Sequence, residues 1–87
     1  MNNSRRKAIK SLMKKLETMM ELQYAISEEL EAIKDEEQDA LDNMPESLQE
    51  GERGQQMQEY IDEMESVIDD LNLLDIEGFI NRLDEII

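Results

Sequence analysis

The stretch from Ile9 to Met44 decides the fold, and it reads IKSLMKKLETMMELQYAISEELEAIKDEEQDALDNM. Nine of eleven heptad core positions in it are apolar, in the series Ile9, Leu12, Leu16, Met19, Gln23, Ile26, Leu30, Ile33, Glu37, Ala40 and Met44. A repeat sustained over five heptads predicts a long coiled-coil-type helix, placed at residues 4–43. The two polar exceptions are expected to tune its register at some cost in stability. Further apolar residues widen the stripe, so more than one neighbouring helix is expected: Ala8, Met13, Met20, Leu22 and Leu41.

A polar connection is predicted over residues 44–54. Pro45 ends the first helix, because it lacks an amide donor and disfavours the α conformation of the residue before it. Gly51 and Gly54 mark the rest of the connection. A second helix is then predicted over residues 55–86. Its apolar phase slips beyond Leu74, which indicates a kink or break near residues 75–78, although one continuous or bent helix is favoured.

Two helices joined by one loop bury their stripes only if they lie antiparallel. The predicted fold is therefore all-α, a single domain over residues 1–87 built as an antiparallel two-helix hairpin with coiled-coil-like packing. A lone hairpin leaves half of its apolar stripe exposed, so a homodimer that packs as a four-helix bundle is expected. The predicted core of the helix seam and dimer comprises Ile9, Leu12, Leu16, Met19, Ile26, Leu30, Ile33, Met57, Ile61, Met64, Ile68 and Leu71.

The charge is unevenly distributed along the chain. Residues 1–15 carry six basic residues and no acid, whereas residues 16–87 carry all 23 acids and three basic residues, a net charge of −20. Along a hairpin of ~60 Å this is one charge per ~3 Å, and a dimer would approach the ~1.7 Å spacing of duplex DNA. Such a body repels nucleic acid and attracts basic protein surfaces. We therefore predict a protein partner with a basic surface and no direct nucleic-acid binding.

Composition excludes several classes of chemistry. The chain has no cysteine and no histidine, so it has no disulfide framework, no zinc site of the usual kind and no imidazole or thiol catalyst. Its many carboxylate pairs fall mostly on solvent-facing helix positions, where no pair stands out as an acid–base couple. No catalytic residue, metal site or cofactor site is predicted, and the chain is predicted not to be an enzyme. No apolar run approaches a membrane span, so a soluble cytoplasmic protein is expected.

The residues from Asp35 to Gln49, DEEQDALDNMPESLQ, followed by Glu52-Arg53-Gly54, carry a resemblance. Together with the basic start Arg5–Ile9, they resemble small uncharacterised acidic helical proteins that phages and mobile elements of Gram-positive bacteria encode. The resemblance implies a cytoplasmic, helical accessory protein. Inhibition of a host nuclease or defence complex is a recurrent role among such proteins, and acidic DNA mimicry is one recurrent means. No catalytic residue is implied.

Two functional hypotheses remain open on the sequence. The first is a non-enzymatic acidic interaction protein of the DNA-mimic or anti-defence type, and the second is a structural coiled-coil adaptor or oligomerisation module whose acidity serves only solubility. Steep salt dependence of partner binding would favour the first. The candidate partner-binding residues are Glu28, Glu29, Asp35, Glu36, Asp39, Asp42, Pro45, Glu46 and Arg53.

Overall fold

A computed structural model describes all residues from Met1 to Ile87 and contains four helices and no strands. The helices are α1 (Asn3–Asp42), α2 (Glu46–Gln49), α3 (Glu52–Leu73) and α4 (Ile76–Asp84). The chain forms two compact units: unit 1 comprises Met1–Ala25 and Leu74–Ile87, and unit 2 comprises Ile26–Leu73. After α1 the chain turns back on itself. Within unit 2, α3 packs against α1, and within unit 1, α4 packs against α1. The predicted all-α helical hairpin is confirmed.

Helix α1 begins at Asn3, one residue before its predicted start, and Asn2 caps it. The Asn2 side chain accepts a hydrogen bond from the Arg5 amide at 2.8 Å, as an N-cap residue does. At the other end, Pro45 lies in an extended conformation and stops the helix. The Gln49 side chain donates to the Met44 carbonyl at 2.8 Å and to the Asp42 carbonyl at 3.3 Å. These two hydrogen bonds satisfy carbonyl groups that have no partner within α1, because the last carbonyls of a helix lack a helical donor.

The connection contains more helix than predicted. Residues 46–49 form the single turn α2, and α3 begins at Glu52, three residues before the expected start. Gly54 is buried at the first turn of α3, where the backbone of Gln49 lies so close that no side chain fits between them. The absence of a Cβ at Gly54 therefore permits the tight passage from α2 into α3.

The returning segment is broken, whereas one continuous or bent helix over residues 55–86 was favoured. Helix α3 ends at Leu73, and Asp75 caps α4 by accepting a hydrogen bond from the Gly78 amide at 2.9 Å. The covered positions of α3 are spaced three and four along Met57, Ile61, Met64, Ile68 and Leu71. Continuing that spacing would place Asp75 on the packed side. The break brings Ile76 there instead, and its side chain is 1% exposed.

We predict that Gly54→Ala lowers the free energy of unfolding by about 1–3 kcal/mol, because the added methyl group overlaps the Gln49 backbone. Gly51→Ala is the matched control, since its Cβ would lie 3.4 Å from the nearest atom, the Leu48 carbonyl oxygen. That change should leave the free energy unaltered or raise it by up to about 1 kcal/mol. Urea unfolding followed by circular dichroism measures both. Equal stability of the two variants would contradict the close contact.

We predict that Asp75→Ala destabilises the chain by about 1 kcal/mol, because α4 loses its N-cap acceptor. Asp84→Ala removes an acid of the same kind from the last residue of α4, where a negative charge opposes the helix dipole. It should be neutral or slightly stabilising. Thermal unfolding compares the two variants, and amide exchange at residues 76–84 shows whether the loss is confined to α4.

Candidate interaction surfaces

Helix α1 buries one narrow stripe of side chains, and this stripe differs from the predicted core. Apart from Gln38, the covered side chains of α1 recur at alternating spacings of three and four, and we call them the inner stripe: Arg6, Ile9, Met13, Leu16, Met20, Gln23, Ser27, Leu30, Lys34, Glu37 and Leu41. Three of the seven predicted core residues of α1 belong to it: Ile9, Leu16 and Leu30. The other four lie on an adjacent face of the helix and are exposed: Leu12, Met19, Ile26 and Ile33.

The inner stripe is unusually polar for a helix seam, since five of its eleven members are polar or charged. Gln23 is buried, and its side-chain amide donates to the Leu74 carbonyl at 3.0 Å within unit 1. Leu74 lies in the break between α3 and α4, and its carbonyl also accepts a hydrogen bond from the Ile76 amide at 3.2 Å. Gln23 thereby fixes α1 against this break within unit 1.

The contacts of unit 2 identify its polar side. Lys34 on α1 pairs with Glu31 at 2.8 Å and lies near Glu65 of α3. The hydrogen bond to Glu31 raises the pKa of the Lys34 ammonium, desolvation opposes this, and the charges of Glu31, Glu65 and Asp35 add to it. A shallow depression farther along brings Gln38 of α1 together with Gln58 of α3. Glu31 and Gln38 of α1 therefore lie on the same side of unit 2 as Glu65 and Gln58 of α3, and this side is polar.

The opposite side of unit 2 is apolar. Ile26 and Ile33 of α1 directly precede Ser27 and Lys34 of the inner stripe, and they are 47% and 53% exposed. Helix α3 carries Tyr60 and Val67 at the equivalent position of its own repeat, and they are 51% and 41% exposed. In antiparallel helices, equivalent flanking positions lie on the same side of the shared seam. We call this surface of Ile26, Ile33, Tyr60 and Val67 the apolar flank of unit 2.

Unit 1 repeats the pattern. Its part of α1 exposes Leu12 and Met19, seven residues apart and in phase with Ile26 and Ile33. In α4 and the three residues after it, Ile76 is buried and Ile80, Leu83 and Ile87 are partly covered, whereas Phe79 and Ile86 remain exposed. Phe79 and Ile86, again seven residues apart, line a shallow apolar depression together with Arg82, Leu83 and Glu85. Exposed apolar rows of this extent normally mark an interface.

The predicted acidic residues of α1 are all exposed, and we call them the acidic ridge: Glu28, Glu29, Asp35, Glu36, Asp39 and Asp42. Asp42 accepts a hydrogen bond from Gln38 at 3.0 Å, which holds one carboxylate in place. Pro45, Glu46 and Arg53 are also exposed, in and beside the loop that follows. The structure thus places the nine predicted partner-binding residues on the surface of unit 2.

The basic segment 5–15 and the acidic residues 75–85 share unit 1, yet no ion pair joins them. Lys7, Lys10, Lys14 and Lys15 are exposed, whereas Arg6 lies partly covered on the inner stripe. Four ammonium groups of this end therefore remain available to another molecule.

Sequence reasoning did not separate the inner stripe from the apolar flank, because the two rows overlap within one wide apolar band. A signal was nevertheless present. From Leu12 onward, the row Leu12, Met19, Ile26, Ile33 and Ala40 contains no polar residue, whereas over the same stretch the other row includes Gln23, Ser27, Lys34 and Glu37. A wholly apolar row beside a mixed one indicates two distinct contacts.

We predict that sodium chloride raises the thermal unfolding midpoint at low ionic strength, because a chain of net charge −14 with a single ion pair is dominated by repulsion. A variant with all six ridge carboxylates changed to amides should start from a higher midpoint and respond less to salt. Scanning calorimetry at constant protein concentration measures both responses. A midpoint that falls with salt in both proteins would contradict the dominance of repulsion.

No group of three or more Asp, Glu, His or Cys side chains is placed to hold a metal ion. None of the helices has the length and apolar character needed to span a membrane. Comparison with known protein families, curated proteins and solved structures finds no match to this chain. The interaction surfaces must therefore be interpreted from their own geometry and charge.

Proposed function

We propose that this chain is a non-enzymatic interaction protein that dimerises through its apolar flank and offers its acidic ridge to a protein with a basic surface. The observation that carries the proposal is the division of α1 into two exposed faces: one row is wholly apolar, and the other carries six carboxylates. Each face suits a different kind of contact. The apolar row suits a packed helix interface, and the carboxylates suit a basic surface.

The acidic ridge lies in a region of high charge density. Residues 28–42 hold eight acids and Lys34, a net charge of −7. Over about 21 Å of helix this gives one charge per about 3 Å, about half the line density of duplex DNA. A basic groove built for a phosphate backbone could bind such a face by releasing the same kind of counterion. The sharpest form of the proposal is a DNA mimic or anti-defence inhibitor of the phage-encoded kind that the sequence resembles.

The second candidate is a coiled-coil adaptor whose apolar flank provides all of the binding. The exposure of Leu12, Met19, Ile26 and Ile33 favours it, because these side chains would pack into a four-helix bundle when two hairpins pair. In this candidate the carboxylates only keep the assembly soluble. Dimerisation is common to both candidates, whereas the use of the ridge distinguishes them.

We predict that a partner captured from host lysate by the immobilised chain is released steeply between about 50 and 200 mM salt. The six-amide ridge variant should lose most of the capture. The matched control changes six exposed acids of α3 to amides and should retain it: Glu59, Asp62, Glu63, Glu65, Asp69 and Asp70. A short DNA duplex should displace the partner in competition.

Two results would decide against the ridge. Capture that is insensitive to salt and equal for the ridge and control variants would favour the adaptor, since an apolar seam responds little to screening. Capture that the duplex fails to displace would retain a basic partner but reject DNA mimicry.

A further inference from the structure

We infer that the occupant of the apolar row of α1, which runs from Leu12 through Met19, Ile26 and Ile33 to Ala40, is a second copy of this chain, paired antiparallel through α1 about a two-fold axis beside Ile26. In this arrangement, Leu12 of one copy lies at the level of Ala40 of the other, and Met19 lies at the level of Ile33. The inference rests on the dimer proposed above and specifies its orientation and register. It does not depend on the acidic ridge binding any other protein.

The apolar row of α1 is symmetric about its middle residue. Leu12, Met19, Ile26, Ile33 and Ala40 are separated by seven residues each, over about 42 Å of helix. A row with constant seven-residue spacing can meet its own inverted copy along its whole length, with Ile26 against Ile26 at the centre. Such self-complementarity is what a two-fold interface requires, because residue i meets residue j at one end and residue j meets residue i at the other.

The exposed area is large enough for a stable dimer. The chain exposes 6720 Å². A globular monomer of the same mass would expose about 5,300 Å². The excess of about 1,400 Å² exceeds the roughly 800 Å² that each partner buries in a standard interface. A second copy could therefore bury a full interface and still leave the acidic surface in solvent.

The charge of α1 sets the orientation. Residues 3–15 carry +6 and residues 28–42 carry −7, so the helix is strongly polarised from end to end. A parallel pair of α1 helices would place basic beside basic and acidic beside acidic. An antiparallel pair instead brings exposed Lys14 and Lys15 of one copy near the level of exposed Glu36 and Asp39 of the other. Opposite charges then flank the apolar row at both ends.

Docking of α1 onto α3 of the second copy is disfavoured by the same charges. Helix α3 contains seven acids and Arg53, a net charge of −6. In a register that sets Ile26 and Ile33 against Tyr60 and Val67, the acidic half of α1, which carries −7, would lie beside α3, and α3 has no basic segment to offset the repulsion. The contact of α1 with its own copy is the pairing that combines an apolar row with opposite charges.

The first experiment measures mass by light scattering coupled to size exclusion at micromolar concentration. Wild type should have twice the 10.2 kDa mass of the chain. Ile26→Glu combined with Ile33→Glu should halve the mass, because four charges would enter the apolar row of a dimer. The matched control, Ala25→Glu with Ala32→Glu, adds the same charges to exposed positions about 100° round α1 from Ile26 and Ile33 and should stay dimeric. Far-UV circular dichroism should show that both variants remain helical.

The second experiment reads the register by disulfide trapping, which is simple because the chain has no cysteine. Ile26→Cys should form a covalent dimer under mild oxidation, since the two thiols would face each other across the axis. Leu12→Cys alone should not form one, and neither should Ala40→Cys alone. An equimolar mixture of Leu12→Cys and Ala40→Cys should form the mixed dimer.

Each outcome has a definite meaning. A wild-type mass of 10.2 kDa overturns both the dimer and its orientation. A dimeric mass with efficient self-linking of Leu12→Cys overturns the antiparallel register and leaves the dimer standing. A dimer that Ile26→Glu with Ile33→Glu leaves intact shows that another surface pairs the copies. Binding of a basic partner is measured separately, so its loss bears on the acidic ridge alone.

Discussion

The packing of a single stripe of α1 against the returning helices governs the rest of this structure. The stripe is narrow, so its position on α1 determines which side chains face the returning helices and which remain exposed to solvent. Lys34 and Glu37 are on the packed side, whereas Ile26 and Ile33 are not. Every surface that we assign to binding is a consequence of this choice.

The polar members of the inner stripe contribute specificity more than stability. A seam with Gln23, Ser27 and Lys34 buries less apolar area than one made of the neighbouring apolar row would bury. The hydrogen bond from Gln23 to the Leu74 carbonyl, at the break between α3 and α4, offsets part of this lost apolar burial. The hairpin leaves its most apolar row exposed to solvent. In the proposed dimer, a second copy would cover this row and add to the stability of the fold.

In the proposed function, the two exposed faces of α1 would make different contacts. The apolar flank offers area without charge, and the acidic ridge offers charge held on a rigid helix. A dimer formed through the flank would leave carboxylates in solvent, where screening by salt governs their interactions. The two contacts can therefore be separated by ionic strength as well as by mutation.

Helical content, the turn at Pro45 and the exposure of the carboxylates could be predicted from the sequence, because they follow from local spacing, from the missing proline amide and from the cost of burying a charge. The phase slip beyond Leu74 likewise indicated a change near Asp75. The tertiary structure decided which row of the wide apolar band turns inward, and it decided that α4 is separate. Both outcomes depend on contacts between residues far apart in the chain, such as Gln23 with Leu74 and Gly54 against the Gln49 backbone at a tight turn. Periodicity along one helix cannot distinguish two apolar rows that lie side by side, because only a neighbouring helix determines which of them loses contact with water.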